Sequence, residues 1–93
     1  MSEDFEWDEA KAADNYTKHG VSFGAAITVF KDPFAIERLD DREDYAEDRF
    51  ILIGQTDAAV LTVVYTERNG RIRIISARHA TKYEEDDYFV ENS

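Results

Sequence analysis

The sequence predicts an α+β fold: a short N-terminal strand, two helices, a three- to four-stranded antiparallel sheet and a C-terminal helix. Three observations support this prediction. Apolar residues recur at helical spacing near the N terminus, three runs rich in β-branched and aromatic residues fill the middle of the chain, and an Asn-Gly pair separates the last two runs. Helices that flank a series of consecutive strands are typical of the α+β class.

The first elements have recognisable boundary residues. Phe5-Glu6-Trp7 alternates apolar and polar residues as a short strand does, and Asp8 can cap a helix that runs from about residue 9 to 19. Gly20 follows, the residue that most readily adopts a left-handed conformation at a helix end. Four polar residues of this helix fall within about 100 degrees of one another and predict a shared polar stripe: Lys11, Asn15, Lys18 and His19.

A second helix is predicted after Ser22, whose hydroxyl can cap it. Its apolar residues have the spacing of one buried helical face, at i, i+3, i+4 and i+7: Phe23, Ala26, Ile27 and Phe30. Asp32-Pro33 ends this helix, because a residue before proline avoids the helical conformation. Residues 34 to 39 can form a strand, and the charged residues 40 to 44 predict a solvated loop.

The second half of the chain predicts a meander followed by a helix. Residues 49 to 54, 60 to 65 and 71 to 76 are the strand-like runs, and Asn69-Gly70 predicts that the last two are antiparallel neighbours. Thr81 and Glu84 have the spacing of a capping box, so a terminal helix is expected to follow. The helices are expected on one face of the sheet.

Composition restricts the class of protein. The chain has 93 residues, a formal net charge of -10 and no cysteine, so we expect one domain without disulfides or thiolate metal sites. It contains no phosphate-binding glycine loop and no serine or cysteine nucleophile motif. The acidic start has no basic region followed by an apolar one, and the apolar runs are too short to cross a bilayer, so a cytoplasmic protein is expected.

One segment of this acidic chain is cationic. Residues 66 to 82 contain five Lys or Arg and one Glu, a net charge of +4, whereas residues 1 to 19 and 31 to 49 each have a net charge of -4. Such a segment predicts an anionic ligand. With regular alternation, Arg71 and Arg73 would point to one face and Arg78 to the other, so Arg78 either lies at the strand end or follows a β-bulge.

The chain has residues for cleaving RNA without a metal, a reaction that needs a base, an acid and cations around the phosphate. His19 and Glu47 are candidate proton-transfer groups. Arginine binds phosphate bidentately, and Arg78 is favoured over Arg71 as the catalytic cation. The two histidines have no second ligand at metal spacing, so no metal site is predicted.

Each of these residues also has a structural interpretation. His19 can bond the last carbonyls of its helix, Glu47 can be an exposed surface residue, and Arg71 and Arg73 can pair with Glu67 or with carboxylates of residues 40 to 44. Lys11 and Lys18 can be solvated surface cations, and Trp7 and Tyr88 can be core residues.

Three separated blocks of the chain resemble the BrnT toxins. The first consists of residues 5 to 12 (Phe-Glu-Trp-Asp-Glu-Ala-Lys-Ala), Asn15, residues 18 to 23 (Lys-His-Gly-Val-Ser-Phe), Ala26, Val29-Phe30 and Asp32-Pro33. The second consists of residues 47 to 50 (Glu-Asp-Arg-Phe), Gly54 and residues 63 to 66 (Val-Val-Tyr-Thr). The third consists of residues 71 to 78 (Arg-Ile-Arg-Ile-Ile-Ser-Ala-Arg) and Ala80-Thr81.

The resemblance implies a toxin of a type II toxin-antitoxin pair, a RelE-like endoribonuclease that cleaves RNA and inhibits translation without a metal or other cofactor. It implies a BrnA-like antitoxin with a ribbon-helix-helix DNA-binding part as the partner, and no membrane binding or direct DNA binding by this chain alone. The implied catalytic residues are His19, Lys18, Glu47, Arg49 and Arg78. The implied substrate-binding residues are Lys11, Arg73 and Tyr88.

The final helix departs from the family pattern. Family members commonly carry basic residues there, whereas residues 84 to 87 of this chain are Glu-Glu-Asp-Asp. An acidic surface repels phosphate, so the alternative function is a non-catalytic or weakened interaction module that binds a basic partner protein.

Overall fold

The computed structural model describes residues 4–41 and 46–93. In chain order the elements are β1 (Phe5–Glu6), α1 (Glu9–His19), α2 (Phe23–Val29), β2 (Ile36–Asp40), β3 (Arg49–Gln55), β4 (Val60–Arg68), β5 (Arg71–His79) and α3 (Lys82–Glu91). The predicted α+β class is therefore confirmed. None of the described helices is long and apolar enough to span a membrane.

The strands form one sheet in the order β1-β5-β4-β3-β2. Strands β2 to β5 are the predicted antiparallel meander. β1 adds a fifth strand, parallel to β5, with Phe5 opposite Ile72 and Glu6 opposite Arg73. The four antiparallel strands lie within the predicted range of three to four. The pairing of β1 with β5 was not predicted, because a two-residue strand that pairs across more than sixty residues leaves no local signal of its partner.

The predicted boundary residues are confirmed. The Asp8 carboxylate accepts hydrogen bonds from the first turn of α1, Gly20 ends that helix at φ 70°, and Ser22 caps α2. Thr81 forms a complete capping box at α3. Asn69 and Gly70 have φ values of 56° and 75°, the left-handed pair that a tight hairpin turn requires.

The main core lies between the sheet and the first two helices. It contains buried residues from α2 and its approach, together with inward-facing strand residues: Val21, Phe23, Ala26, Val29, Leu52, Leu61, Val63, Tyr65, Ile74 and Ala77. Trp7 packs against this core with its ring centroid 5.9 Å from that of Phe23, which confirms its interpretation as a core residue.

The third helix packs on the opposite face of the sheet. Its Tyr88 clusters with Ile53 and Val60, whose chain neighbours Leu52 and Leu61 belong to the main core. Because successive strand residues point to opposite faces, the two clusters lie on different sides of the sheet. The expectation that all helices share one face is therefore wrong for α3, whose sequence lacks the apolar periodicity that marks a core-facing side.

Two local predictions also need correction. Strand β2 begins at Ile36 rather than at residue 34, and Asp40, expected in a solvated loop, is buried at its end. Residues 42–45 of that loop lie outside the described residues. The polar stripe on α1 is interrupted, since Asn15 is only 7% exposed and makes its hydrogen bonds inside the protein.

Candidate functional site

A β-bulge in β5 decides where the arginines of the cationic segment point. Tyr65 pairs with Ile74 while the preceding Val64 pairs with Ser76, so Ile75 is the extra residue. The bulge inverts the alternation of the strand beyond it. Ala77 consequently faces the main core, and Arg78 shares the opposite face with Arg71 and Arg73, which confirms the bulge interpretation of Arg78.

The face opposite the main core also carries Arg49 at the start of β3. Its neighbour Phe50 pairs with Tyr65 and packs against the main core, so Arg49 points the other way. The polar contacts that α3 makes with β4 and β5 side chains are at Thr62 and Arg78, towards the end of these strands that is away from the hairpin. The sheet therefore presents arginines at its hairpin end.

A pocket of about 180 Å³ lies at this end of the sheet. Its charged lining comes from the start of α1, the approach to β3 and the ends of β4 and β5: Asp8, Lys11, Glu47, Arg49, Arg68 and Arg73. With four cations and two anions, the lining has a net charge of +2. Four of the predicted site residues, Lys11, Glu47, Arg49 and Arg73, meet here although they come from three separated parts of the chain.

Arg68 was missed by the sequence reasoning. It lies within the cationic segment, one residue before the Asn69-Gly70 turn, and its Nη2 is 2.9 Å from Oε1 of Glu47. The pair remains partly exposed, at 46% for the arginine and 34% for the glutamate side chain. Glu47 is thus held at the pocket by an arginine. The signal available in the sequence was the position of Arg68 in the cationic segment.

A second carboxylate, that of Glu6, pairs with two of the arginines of β5. Glu6 lies 2.7 Å from Nη1 of Arg73 and 3.7 Å from Nε of Arg71, whose Nη2 also donates to the Phe5 carbonyl at 3.0 Å. These two arginines do pair with an acid, but the prediction named the wrong one. The acid comes from β1, and not from Glu67 or the described residues between 40 and 44.

Asn15 brings the start of α1 to the pocket. Its Nδ2 donates to the carbonyls of Ala77 at 2.8 Å and Val21 at 3.0 Å, and its Oδ1 accepts from the Ala77 amide at 3.1 Å. The side chain thus occupies the place of a neighbouring strand along the outer edge of β5. This attachment fixes α1 beside the sheet and explains how Lys11 reaches the same pocket as Arg73.

His19 and Lys18 lie at the other end of α1. His19 is eight positions after Lys11 in the chain, which corresponds to about 12 Å along a helix. His19 is half-buried, Lys18 is exposed, and neither lines the cationic pocket. Their catalytic roles therefore stay predictions, and the structure does not bring them together with Glu47 and Arg49.

Arg78 binds the acidic final helix. Its Nη1 and Nη2 lie 2.7 and 3.0 Å from the two carboxylate oxygens of Glu84, which also accepts from the Thr62 hydroxyl. Burial raises the pKa of Glu84, but its hydrogen bonds from Arg78 and from the backbone and the charge of Arg78 outweigh burial and lower the pKa to about 2. In the sheet, Arg78 lies opposite Thr62 and Arg73 lies opposite Thr66. The two arginines are therefore about 13 Å apart along the strands.

Tyr88 lies inside the protein and does not line the cationic pocket. It is 5% exposed, and its hydroxyl donates to Asp32 at 2.6 Å. Burial and this hydrogen bond raise the pKa of Tyr88 to about 12. For Asp32, burial raises the pKa, but hydrogen bonds from the Gln55 amide, the Tyr88 hydroxyl and the Phe34 amide outweigh burial, so its pKa lies below the ordinary value.

The pocket has the chemistry of an anion site that also contains two carboxylates, Asp8 and Glu47. Planar guanidinium groups bind phosphate oxygens bidentately, and Glu47 is placed among them. Within residues 4–41 and 46–93, no group of three or more His, Asp or Glu side chains is arranged to hold a metal ion.

The comparisons with known proteins agree with the class of ligand that the pocket favours. Residues 7–84 match the family described as ribonuclease toxin, BrnT, of type II toxin-antitoxin system. A search of curated proteins finds no match. The family match covers most of the chain, including every charged residue that lines the pocket. The chain therefore belongs to the BrnT family of ribonuclease toxins of type II toxin-antitoxin systems.

Proposed function

We propose that this protein is an endoribonuclease that cleaves RNA without a metal, with the cationic pocket as its active site. The observation that carries this proposal is the arrangement of Lys11, Arg49, Arg68 and Arg73 around the Glu47 carboxylate. A pocket of about 180 Å³ is smaller than ordinary ligand pockets, which hold roughly 300 Å³ or more. It suits a phosphate of the RNA backbone better than a whole nucleotide.

In the proposed mechanism the RNA supplies its own nucleophile. The Glu47 carboxylate accepts the proton of a 2′-hydroxyl, the 2′-oxygen bonds to phosphorus, and the bond from phosphorus to the 5′-oxygen breaks. The leaving 5′-oxygen takes a proton from the Lys11 ammonium. The products are a 2′,3′-cyclic phosphate and a 5′-hydroxyl. Arg49 and Arg73 stabilise the charge that develops on the non-bridging oxygens.

Glu47 is preferred to His19 as the base because it shares a pocket with the cations. A base must reach the proton that it removes, and His19 lies about 12 Å away along α1 from Lys11. We assign Arg78 a structural role and not a catalytic one, since both Nη atoms of its guanidinium group already bind Glu84.

The test is cleavage of a defined RNA by purified protein in the presence of a chelator. Glu47→Gln should lower the cleavage rate by about 10²- to 10⁴-fold, as expected for loss of a general base. Arg49→Gln should lower it by about 10²- to 10³-fold. Arg38→Gln is the matched control, because this half-exposed arginine pairs with Asp87 on α3 and does not line the pocket.

The mechanism is wrong if the parent leaves RNA intact with chelator present, or if Glu47→Gln cleaves as fast as Arg38→Gln. Comparing His19→Ala and Arg78→Ala in the same assay tests the two residues that lie elsewhere. A His19→Ala rate as low as that of Glu47→Gln would move the active site to the C-terminal end of α1.

In the cell, we place this activity in the cytoplasm, where RNA cleavage inhibits translation and a BrnA-like antitoxin with a ribbon-helix-helix part neutralises the toxin. The family assignment supports this role, because type II systems pair a toxin protein with an antitoxin protein. Induced expression should arrest growth and protein synthesis in a bacterial host, and Glu47→Gln should not.

One observation favours the alternative of an interaction module. The outer side of α3 exposes Tyr83, Phe89 and Val90, at 84, 53 and 71%, beside acidic residues of the same helix. Exposed apolar groups flanked by carboxylates suit a basic protein partner. A chain that binds such a partner in a salt-dependent manner and leaves RNA intact would establish this alternative instead.

A further inference from the structure

The hairpin end of the sheet places like charges opposite one another. Arg68 and Arg71 form the last pair of β4 and β5, and Arg73 lies two residues further along β5. Like charges directly opposite in a sheet destabilise it. Such an arrangement needs anions between the arginines.

Within residues 4–41 and 46–93, the carboxylates of Glu47 and Glu6 supply such anions. Glu47 binds Arg68 at 2.9 Å, and Glu6 binds Arg73 at 2.7 Å and Arg71 at 3.7 Å. The pairs of Glu6 are accessible from solvent, since the side chains of Arg71, Arg73 and Glu6 are 42, 27 and 25% exposed. Partly exposed ion pairs are weak and exchange readily with competing anions.

We propose that Arg71 and Arg73 form a second phosphate subsite, next to the catalytic pocket, which Glu6 occupies until RNA arrives. Arg73 lines the pocket and also binds Glu6, so it joins the two places. Arg71 does not line the pocket and extends the cationic surface beyond it. An RNA whose scissile phosphate lies in the pocket then places a neighbouring phosphate against Arg71, and the Glu6 side chain rotates away.

The position of Glu6 makes this exchange possible without unfolding. Its backbone is held in register with Arg73, and the amide of Ile72 donates to the Asp4 carbonyl at 2.9 Å. Only the side chain has to move. The subsite thus recognises a single-stranded RNA through at least two consecutive phosphates, and Glu6 competes with the second phosphate for Arg71 and Arg73.

This inference rests on the proposed function, because it needs RNA in the catalytic pocket. The test uses 2′-O-methyl oligonucleotides of two and five nucleotides, which carry one and four phosphodiesters and have no free 2′-hydroxyl. Their affinities are measured by NMR titration at several salt concentrations. Each phosphate contact adds about 0.7 to the slope of log affinity against log salt for a single strand.

Glu6→Gln should bind the pentanucleotide about five-fold more tightly than the parent, which is the strength of a partly exposed ion pair. Glu6→Gln should raise the affinity for the dinucleotide no more than Glu67→Gln does. That variant is the matched control, because it removes one negative charge from an exposed residue of β4 and so has the same net charge.

Arg71→Gln should lower the salt slope of the pentanucleotide by about 0.7 and leave that of the dinucleotide unchanged. Thermal unfolding shows whether each variant keeps its fold. If Glu6→Gln does not fold, the comparison of Arg71→Gln with its control Arg38→Gln decides the test.

The outcomes separate the two proposals. If the parent cleaves RNA but Glu6→Gln matches Glu67→Gln, or Arg71→Gln leaves the pentanucleotide unaffected, the subsite is refuted and the catalytic pocket stands. If the parent neither cleaves RNA nor binds either oligonucleotide, both proposals are refuted.

Discussion

Asn15→Ala should remove the attachment of α1 to β5 and lower the free energy of unfolding, by an amount that follows from the hydrogen bonds of this side chain. The side chain makes three hydrogen bonds, two to Ala77 and one to the Val21 carbonyl, and is 7% exposed. A typical intramolecular hydrogen bond contributes about 0.5–1.5 kcal/mol net, and a buried backbone group left unpaired costs about 1–3 kcal/mol. Partial access of water to the vacated site offsets part of this cost. We expect a loss of about 2–4 kcal/mol in the free energy of unfolding.

Such a loss is a large part of the total, since domains of this size have about 5–15 kcal/mol of stability. Urea unfolding followed by the fluorescence of Trp7 measures it, because this tryptophan packs against Phe23 in the main core. Asp14→Ala is the control: its side chain is exposed on the same helix, and surface changes of this kind remain within about 0.5 kcal/mol.

Asn15→Asp separates hydrogen bonding from volume. The carboxylate is nearly isosteric but cannot donate to the carbonyls of Ala77 and Val21, so at pH 7 it should destabilise at least as much as Asn15→Ala. Its protonated form can donate one bond, which raises the folded-state pKa of the new Asp above its unfolded value. Its deficit relative to the parent should therefore be smallest below about pH 4 and grow as pH rises.

Two results would contradict this role of Asn15. One is Asn15→Ala within about 0.5 kcal/mol of Asp14→Ala at an unchanged dependence on urea. The other is Asn15→Asp more stable than Asn15→Ala at pH 7, which would mean that the amide donors are not what holds α1 to β5.

Two further predictions concern packing and pH. Gly54→Ala should lower the free energy of unfolding in urea by about 1–3 kcal/mol, because its Cβ would lie 2.8 Å from Cγ1 of Val29. Gly24→Ala in α2 is the control, since its Cβ meets nothing closer than 3.8 Å, and this substitution should stabilise the protein by about 0.5–1 kcal/mol. Equal effects of the two substitutions would contradict the packing argument. Glu84→Gln keeps the capping box but loses the charge that binds Arg78. The shift of the Glu84 pKa from 4.5 to about 2 is equivalent to at most about 3 kcal/mol, and solvent screens the partly exposed pair. Glu84→Gln should therefore lower the free energy of unfolding by about 1–2 kcal/mol at pH 7. Because the folded-state pKa of Glu84 is depressed, the stability difference between Glu84→Gln and the parent should be complete above about pH 4.5 and disappear as pH falls towards 2. A stability difference that does not depend on pH would exclude the ion pair as its origin.

The site shows where prediction from sequence stops. Lys11, Glu47, Arg49 and Arg73 were all predicted, but nothing in their spacing indicates that they line one pocket while His19, Lys18, Arg78 and Tyr88 lie elsewhere. Arg68 carries no motif, and its importance follows only from its contact with Glu47.

The amino-acid sequence was sufficient to predict much of the local structure: the caps at Asp8, Ser22 and Thr81, the Asn69-Gly70 turn, and the presence of a cationic strand in an acidic chain. These features depend on interactions within a few residues, so the sequence pattern contains them in full.

Three features became known from the fold alone: the face of the sheet that α3 covers, the pairing of β1 with β5, and the β-bulge that sets the direction of Arg78. Each depends on pairing between distant segments, where a single bulged residue, Ile75, inverts the direction of every side chain beyond it. The cations were visible in the sequence, but their convergence on Glu47 depends on the register of three strands, β3, β4 and β5, and on the attachment of α1 by Asn15.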